Sequence, residues 1–245
     1  MLNTLFIPIN LQRDNLNFNA GLTLAIATDY KQALIPSDIL HPNEFAKYDR
    51  YKVDKPKYEF MLGRLAAKLA IQHVYPQFTL TEINVNNGIF HQPIIAYPHI
   101  PYQISITHHL PLASSIIFEE AHPMGIDIED TDRSESIAAK GTLTAQEQQL
   151  ALANTLPSFS IVLWAAKESL AKILRTGFTI PLEILAIDNI EHHTDHYVLT
   201  YCNFLQYKAM VIELGHYILS ITLPKNTQYQ LDIAQLHTWY QQSGI

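Results

Sequence analysis

Twice along this chain a long helical pattern is followed by a run of short, strand-like segments, and this alternation limits the fold more than any other feature. The first helix is predicted from about Asp54 to Tyr75. Asp54 is the expected cap, Pro56 suits the first turn, and Pro76 ends the segment. Tyr58, Met61, Leu62, Leu65, Ala66 and Leu69 repeat at helical spacing and predict a buried stripe. The second helix is predicted from about Ser160 to Arg175. Ser158 or Ser160 is its expected cap, Gly177 its expected stop, and Ile161, Trp164, Ala165 and Ala171 its apolar side. Short β-branched and aromatic segments follow each helix: Glu82–Val85, Ile104–Thr107 and Ser114–Phe118 after the first, then Leu185–Ile187, Tyr197–Tyr201, Lys208–Ile212 and Ile218–Leu223 after the second. The reading is an α+β chain of two similar halves, each a long helix packed on a small antiparallel sheet. The predicted division is 1–120 and 121–245, at the turn Glu119–Pro123. Ile104-Ser-Ile-Thr is echoed by Leu219-Ser-Ile-Thr, an echo too short to establish a repeat alone.

Composition narrows the class. Hydrophobic residues make up 48% of the 245, enough for a packed core and against disorder. No apolar run approaches the ~20 residues of a membrane helix, and Met1-Leu-Asn-Thr-Leu-Phe-Ile-Pro has no basic start, so neither membrane insertion nor secretion is expected. A single cysteine, Cys202, excludes an internal disulfide and any cysteine-based metal site, and reads as a buried filler. A cytoplasmic protein follows as the expectation. The net charge of -7 argues against general nucleic-acid binding. Against that background, Lys47, Arg50, Lys52, Lys55, Lys57, Arg64 and Lys68 crowd into one stretch, supplying seven of the 16 basic residues. Lys57, Arg64 and Lys68 share one helix face, which is either solvated or turned to a bound anion.

Three short segments can carry chemistry. In Met124-Gly-Ile-Asp-Ile-Glu-Asp130, strand alternation would put Ile126 and Ile128 on one side and Asp127 and Glu129 on the other. Two adjacent carboxylates need a cation, a raised pKa or open solvent. Oxygen ligands suit a hard ion such as Mg²⁺. In Trp164-Ala-Ala-Lys-Glu-Ser-Leu-Ala-Lys172, Glu168 and Lys172 stand one turn apart beside the apolar stripe, where Glu168 can add a third carboxylate. Ile104-Ser-Ile-Thr-His-His109 ends a strand with a hydroxyl and two imidazoles. His192-His-Thr-Asp-His196 reads as a polar hairpin loop.

The order and spacing of these three segments resemble the 4′-phosphopantetheinyl transferases, specifically the large, surfactin-type monomeric group. Its hallmark is a Gly-(Ile/Val)-Asp-x-Glu strand followed about forty residues later by Trp-x-x-Lys-Glu-(Ser/Ala)-x-x-Lys. The resemblance runs from about Ile39 to Leu223 and is thin outside the motifs. It implies a pseudo-dimer of two α+β halves with the active site between them. It also implies a holo-[acyl-carrier-protein] synthase that moves 4′-phosphopantetheine from coenzyme A to a carrier-protein serine, with Mg²⁺ as cofactor. Coenzyme A and an apo acyl or peptidyl carrier protein are the implied partners, and a monomer is the implied state. Carried over by position, Asp127, Glu129 and Glu168 match the metal ligands. Glu168 also matches the proton acceptor, and Lys172 the lysine near the transferred phosphate. Lys167 is the other lysine of that motif. Thr107 and His108 match the Ser-His pair at the 3′-phosphoadenosine end, Lys47 and Arg50 match phosphate contacts, and Lys57 and Arg64 match basic residues of the following helix. The chain departs from the family where Gly-Lys-Pro is usual, reading His91-Gln-Pro93, and where Ser-His-Ser reads Thr107-His-His109. Gln92 loses a charge that His109 can partly restore at low pH. A non-catalytic coenzyme A or carrier-binding protein on the same scaffold is the alternative, and an Mg²⁺-dependent phosphohydrolase is a second rival.

Overall fold

The computed structural model describes residues 1–97, 100–133, 143–154, 158–177 and 179–245. They form two compact units: 1–123 with 228–245, and 124–227. The C-terminal residues 228–245, assigned by sequence to the second half, therefore group with the first unit. Among the described residues, no helix is long and apolar enough to cross a membrane.

The first unit is built on a hairpin that the sequence reading passed over. β1 (Leu2–Arg13) and β2 (Leu16–Ala27) pair along their whole length across the turn Asp14-Asn15. Both turn residues have positive φ, as a two-residue hairpin turn requires, and Asp and Asn tolerate it. β3 (Val85–Asn87) and β4 (Pro93–Ile95) form a small separate hairpin, so the expected strand at Glu82 begins three residues later. β5 (Tyr102–His109) and β6 (Leu112–Glu119) extend the main sheet. Its order is β12-β1-β2-β6-β5, with β12 (Gln228–Gln230) returning to pair with β1. The Asp54–Val74 helix lies on this sheet, with Met61, Leu62, Leu65 and Ala66 in its core. Its cap is Val53, without a side-chain bond. Asp54 is already helical and pairs instead with Lys31 at 2.7 Å.

The predicted basic face of this helix is not solvated throughout. Lys68 is fully buried, and Arg64 nearly so. Both reach Glu44 on the Pro42–Tyr48 helix, at 2.6 Å from Lys68 and 3.3 Å from Arg64. Burial lowers the pKa of Lys68, and Glu44 opposes the shift. Glu44 also closes a capping box with His41 and accepts from Val85 N–H at the start of β3. Removing Glu44 would take the carboxylate from two buried cations at once, which is why these residues stay together.

The second unit follows β7 (Gly125–Asp130) with the Ala145–Ala153 and Phe159–Leu174 helices, then β8 (Ile187–His192), β9 (Tyr197–Tyr201), β10 (Tyr207–Leu214) and β11 (Tyr217–Pro224). The sheet order is β7-β11-β10-β9-β8. Strands thus come before as well as after each long helix. Leu185 ends a short 3₁₀ turn rather than opening a strand. The Ser-Ile-Thr echo falls on strands with different places: β5 at a sheet edge, β11 next to β7. Ser158 precedes the Phe159–Leu174 helix without a side-chain capping bond, and Arg175, in the left-handed region, ends it before Gly177. Cys202 is half-buried rather than core.

The helix lies hard against β7. A Cβ on Gly125 would fall inside the Ser169 carbonyl oxygen, so only glycine permits the approach. Ser169 Oγ meets Ser220 Oγ at 2.9 Å and Thr222 Oγ1 at 2.6 Å, and Tyr201 donates to Ala166 O at 2.8 Å. We predict that Gly125→Ala destabilises the protein by about 1–3 kcal/mol or more, the usual penalty of overpacking, because the obstacle is backbone that cannot swing aside. Urea unfolding measures it. An unchanged midpoint would mean that the helix does not press on β7.

Candidate metal and phosphate sites

β7 alternates as its sequence requires: Ile126 and Ile128 are buried on one side, and Asp127 is 3% exposed on the other. An acidic face open to solvent is therefore excluded for Asp127. Ser220 stands opposite Asp127 and Ile218 opposite Glu129 in the β7–β11 register. The close helix–strand contact brings Glu168 to the same place. Ligand oxygens of Asp127, Glu129 and Glu168 all lie within 4.8 Å of one another, and no other group of three or more His, Cys, Asp or Glu with this property occurs among the described residues. His192, His193 and His196 flank the β8–β9 turn, as the loop reading expected.

The charges around this triad are strongly coupled. Burial, then Asp127, pushes the Glu168 carboxyl up from 4.5 to about 8, with Glu129 adding to the rise. Lys172 and the Trp164 indole oppose it. Lys172 Nζ donates to Asp127 Oδ1 and to Ile126 O, both at 2.7 Å. Trp164 Nε1 donates to Glu129 Oε1 at 3.1 Å. Three carboxyl groups crowd beside Lys172, and oxygen donors at this separation fit a hard divalent cation. The residues present fit Mg²⁺.

Lys167, by contrast, does not join Lys172. It is 1% exposed and donates to Glu147 Oε2 at 2.8 Å, and Glu147 itself is fully buried. Enclosed in this way, Lys167 meets Glu147 instead of turning to the carboxylate cluster. Glu147 was missed in sequence, although Thr144-Ala-Gln-Glu147 carries the capping-box signature that the structure displays.

The first unit has a cavity of about 510 Å³ lined by Lys47, Arg50 and Arg64 with Tyr51, Phe60 and His91. Lys47 and Arg64 both lie over the Phe60 ring, at 5.2 and 4.8 Å from its centroid. Burial, then Arg64, lowers the Lys47 pKa. Arg64 also donates to Asn87 Oδ1 at 2.9 Å. The other expected residues lie elsewhere. Lys57 sits over the Tyr48 ring at 4.2 Å. Thr107 and His108 alternate across β5. His108 is on the side of Gly63, in the Asp54–Val74 helix, and Thr107 is on the other side. None of the three lines the cavity. Gln92 folds over its own turn, its Oε1 accepting from Phe90 N–H at 3.0 Å, while neighbouring His91 reaches the cavity.

Residues 123–233 match the family model of the 4′-phosphopantetheinyl transferase superfamily. The matched segment holds Asp127, Glu129, Glu168 and Lys172, so the carboxylate cluster lies inside the superfamily's own region. The match supports phosphopantetheine transfer in general, a superfamily reaction that uses Mg²⁺ and coenzyme A. The cavity-lining residues and Thr107 and His108 precede it. No curated protein matches the chain.

The raised Glu168 pKa fixes a pH dependence. Folded chains hold a proton that unfolded chains lose above about 4.5, so the metal-free protein loses stability as pH rises from about 4.5 to about 8. We predict that Glu168→Gln flattens this fall, and that added Mg²⁺ raises the melting temperature more at pH 8 than at pH 5. Calorimetric scans across that range check it; equal Mg²⁺ stabilisation at both pH values would contradict it.

Proposed function

We propose that this chain is a surfactin-type 4′-phosphopantetheinyl transferase. It moves the 4′-phosphopantetheine arm of coenzyme A to a serine of an apo acyl or peptidyl carrier protein and releases 3′,5′-ADP. The observation that carries the reading is the convergence of Asp127, Glu129 and Glu168 within the segment matched to the superfamily. Support for two related halves comes from the chain path. In each unit the strand before the long helix pairs with the last strand of the run after it: β2 with β6, and β7 with β11.

Phosphoryl transfer asks the protein for placement and charge neutralisation more than for covalent chemistry. Asp127, Glu129 and Glu168 would hold Mg²⁺, which when bound supplies positive charge to the diphosphate. Glu168, which the resemblance casts as the proton acceptor, takes the proton of the carrier serine. The serine oxygen bonds to the β-phosphorus, and the bond from that phosphorus to the bridging oxygen breaks, its electrons leaving with 3′,5′-ADP. Lys172, fixed by Asp127 and Ile126 O, faces the developing negative charge. Lys47, Arg50 and Arg64 bind the phosphates of the nucleotide end, and Phe60 and Tyr51 give that cavity an aromatic wall. His108, on the helix side of β5, contributes to the same end, with Thr107 and Lys57 as further contacts carried by the resemblance alone.

The test is intact-mass analysis after incubation with coenzyme A, Mg²⁺ and a panel of apo carrier proteins. We predict a gain of one phosphopantetheine on a carrier. It is lost with EDTA and falls at least ~100-fold in Asp127→Ala and Glu168→Gln, the scale of removing charge stabilisation at the reacting centre. No gain on any carrier, with folding and coenzyme A binding verified, would favour a binding protein on a transferase scaffold. Release of 3′,5′-ADP without any acceptor would favour a hydrolase.

A further inference from the structure

We infer that the buried pair Glu147–Lys167 is a positioning device for the metal-binding carboxylates, an inference that rests on the metal reading of Asp127, Glu129 and Glu168. The Glu147 carboxylate ties three elements together. Its Oε2 accepts from Thr144 N–H at 2.8 Å, closing the cap of the Ala145–Ala153 helix. Its Oε1 accepts from Ile187 N–H at 2.9 Å, the first residue of β8. Its Oε2 also accepts from Lys167 Nζ at 2.8 Å. Lys167 thereby fixes how far the Phe159–Leu174 helix is turned about its own axis.

That rotation decides where the site residues point. On a helix of 3.6 residues per turn, Trp164, Glu168 and Lys172 lie about 60°, 100° and 140° around from Lys167. They form one sector whose direction is set once Lys167 is held. A carboxylate about 7 Å from the axis moves roughly 2 Å when the helix turns by about 20°. Metal ligation tolerates only about 0.2 Å. The three carboxylates converge only while the turn is fixed, and the Trp164–Glu129 and Lys172–Asp127 bonds depend on the same turn.

The first unit carries the same arrangement on a different local sequence. Glu44, third in a capping box begun by His41, accepts from Val85 N–H at the start of β3 and from Lys68 of the long helix. There the held helix presents Arg64 to the cavity. A buried carboxylate joining cap, strand start and long-helix lysine occurs in both units, each time holding by its lysine the long helix that presents functional side chains.

The experiment is Mn²⁺ binding to the full chain, read by the paramagnetic resonance signal of free Mn²⁺, with thermal melts on the same samples. Glu147→Gln/Lys167→Met removes both charges together, so neither is left alone, and Gln keeps an oxygen for the two backbone N–H groups. The expected result is a cooperative melt with Mn²⁺ affinity about 10- to 100-fold weaker, the range for residues that orient metal ligands. The kcat for transfer should fall while KM for coenzyme A stays near wild type. Lys167→Arg serves if the double variant does not fold: it keeps the pair but is longer and planar, and it should weaken Mn²⁺ binding with the melt retained. Wild-type Mn²⁺ affinity in either folded variant overturns the inference and leaves the metal reading intact. A wild-type chain that binds no Mn²⁺, or binds it equally after Asp127→Ala, overturns the metal reading and this inference with it.

Discussion

Everything at the acidic site depends on the Phe159–Leu174 helix resting directly on β7 at Gly125. The helix brings Glu168, and the strand brings Asp127 and Glu129. Neither element alone supplies all three carboxylates of the cluster. A side chain at position 125 would meet the Ser169 carbonyl oxygen and hold the elements apart. The glycine that opens the acidic strand is thus part of the site's geometry, although it contributes no functional group. The contact is secured by polar bonds inside the core, where Ser169 meets Ser220 and Thr222, and Tyr201 reaches the helix carbonyl of Ala166. Each satisfies a group whose burial would otherwise be costly.

Charge is handled differently inside and at the site. Glu44 with Lys68 and Arg64, and Glu147 with Lys167, are enclosed as ion pairs, and backbone partners complete their carboxylates. The triad differs: three carboxylates crowd within 4.8 Å of one another, and Lys172 bonds one of them. The internal pairs hold helices in place, and the crowded carboxylates are what a divalent ion would bring together. This division also explains why an acidic chain carries a dense basic stretch. Part of that stretch is structural, spent on Glu44, and part, Lys47 and Arg50, lines the cavity.

The carboxylate cluster was more legible in the sequence than the fold. Asp127 and Glu129 were legible because strand alternation has a period of two, and Glu168 because its helix motif stands at a fixed spacing from them. The long helix was legible from its apolar stripe. The β1–β2 hairpin was not, because Asp14-Asn15 is a weak turn signal and β1 contains Pro8. The pairing of Lys167 with Glu147 was not legible, for a physical reason: lysines are rarely fully buried. Its partner lies 20 residues earlier, on another helix. Local pattern carries no information about that distance. Thr107 and His108 were read as a pair, yet adjacent strand residues face opposite sides.

The most direct test of the account is a crystal structure with coenzyme A and Mn²⁺, located by its anomalous scattering. The account predicts a strong peak bonded at about 2.0–2.2 Å to oxygens of Asp127, Glu129 and Glu168 and to the coenzyme A diphosphate. An ordered coenzyme A with no anomalous peak at those three carboxylates would contradict it.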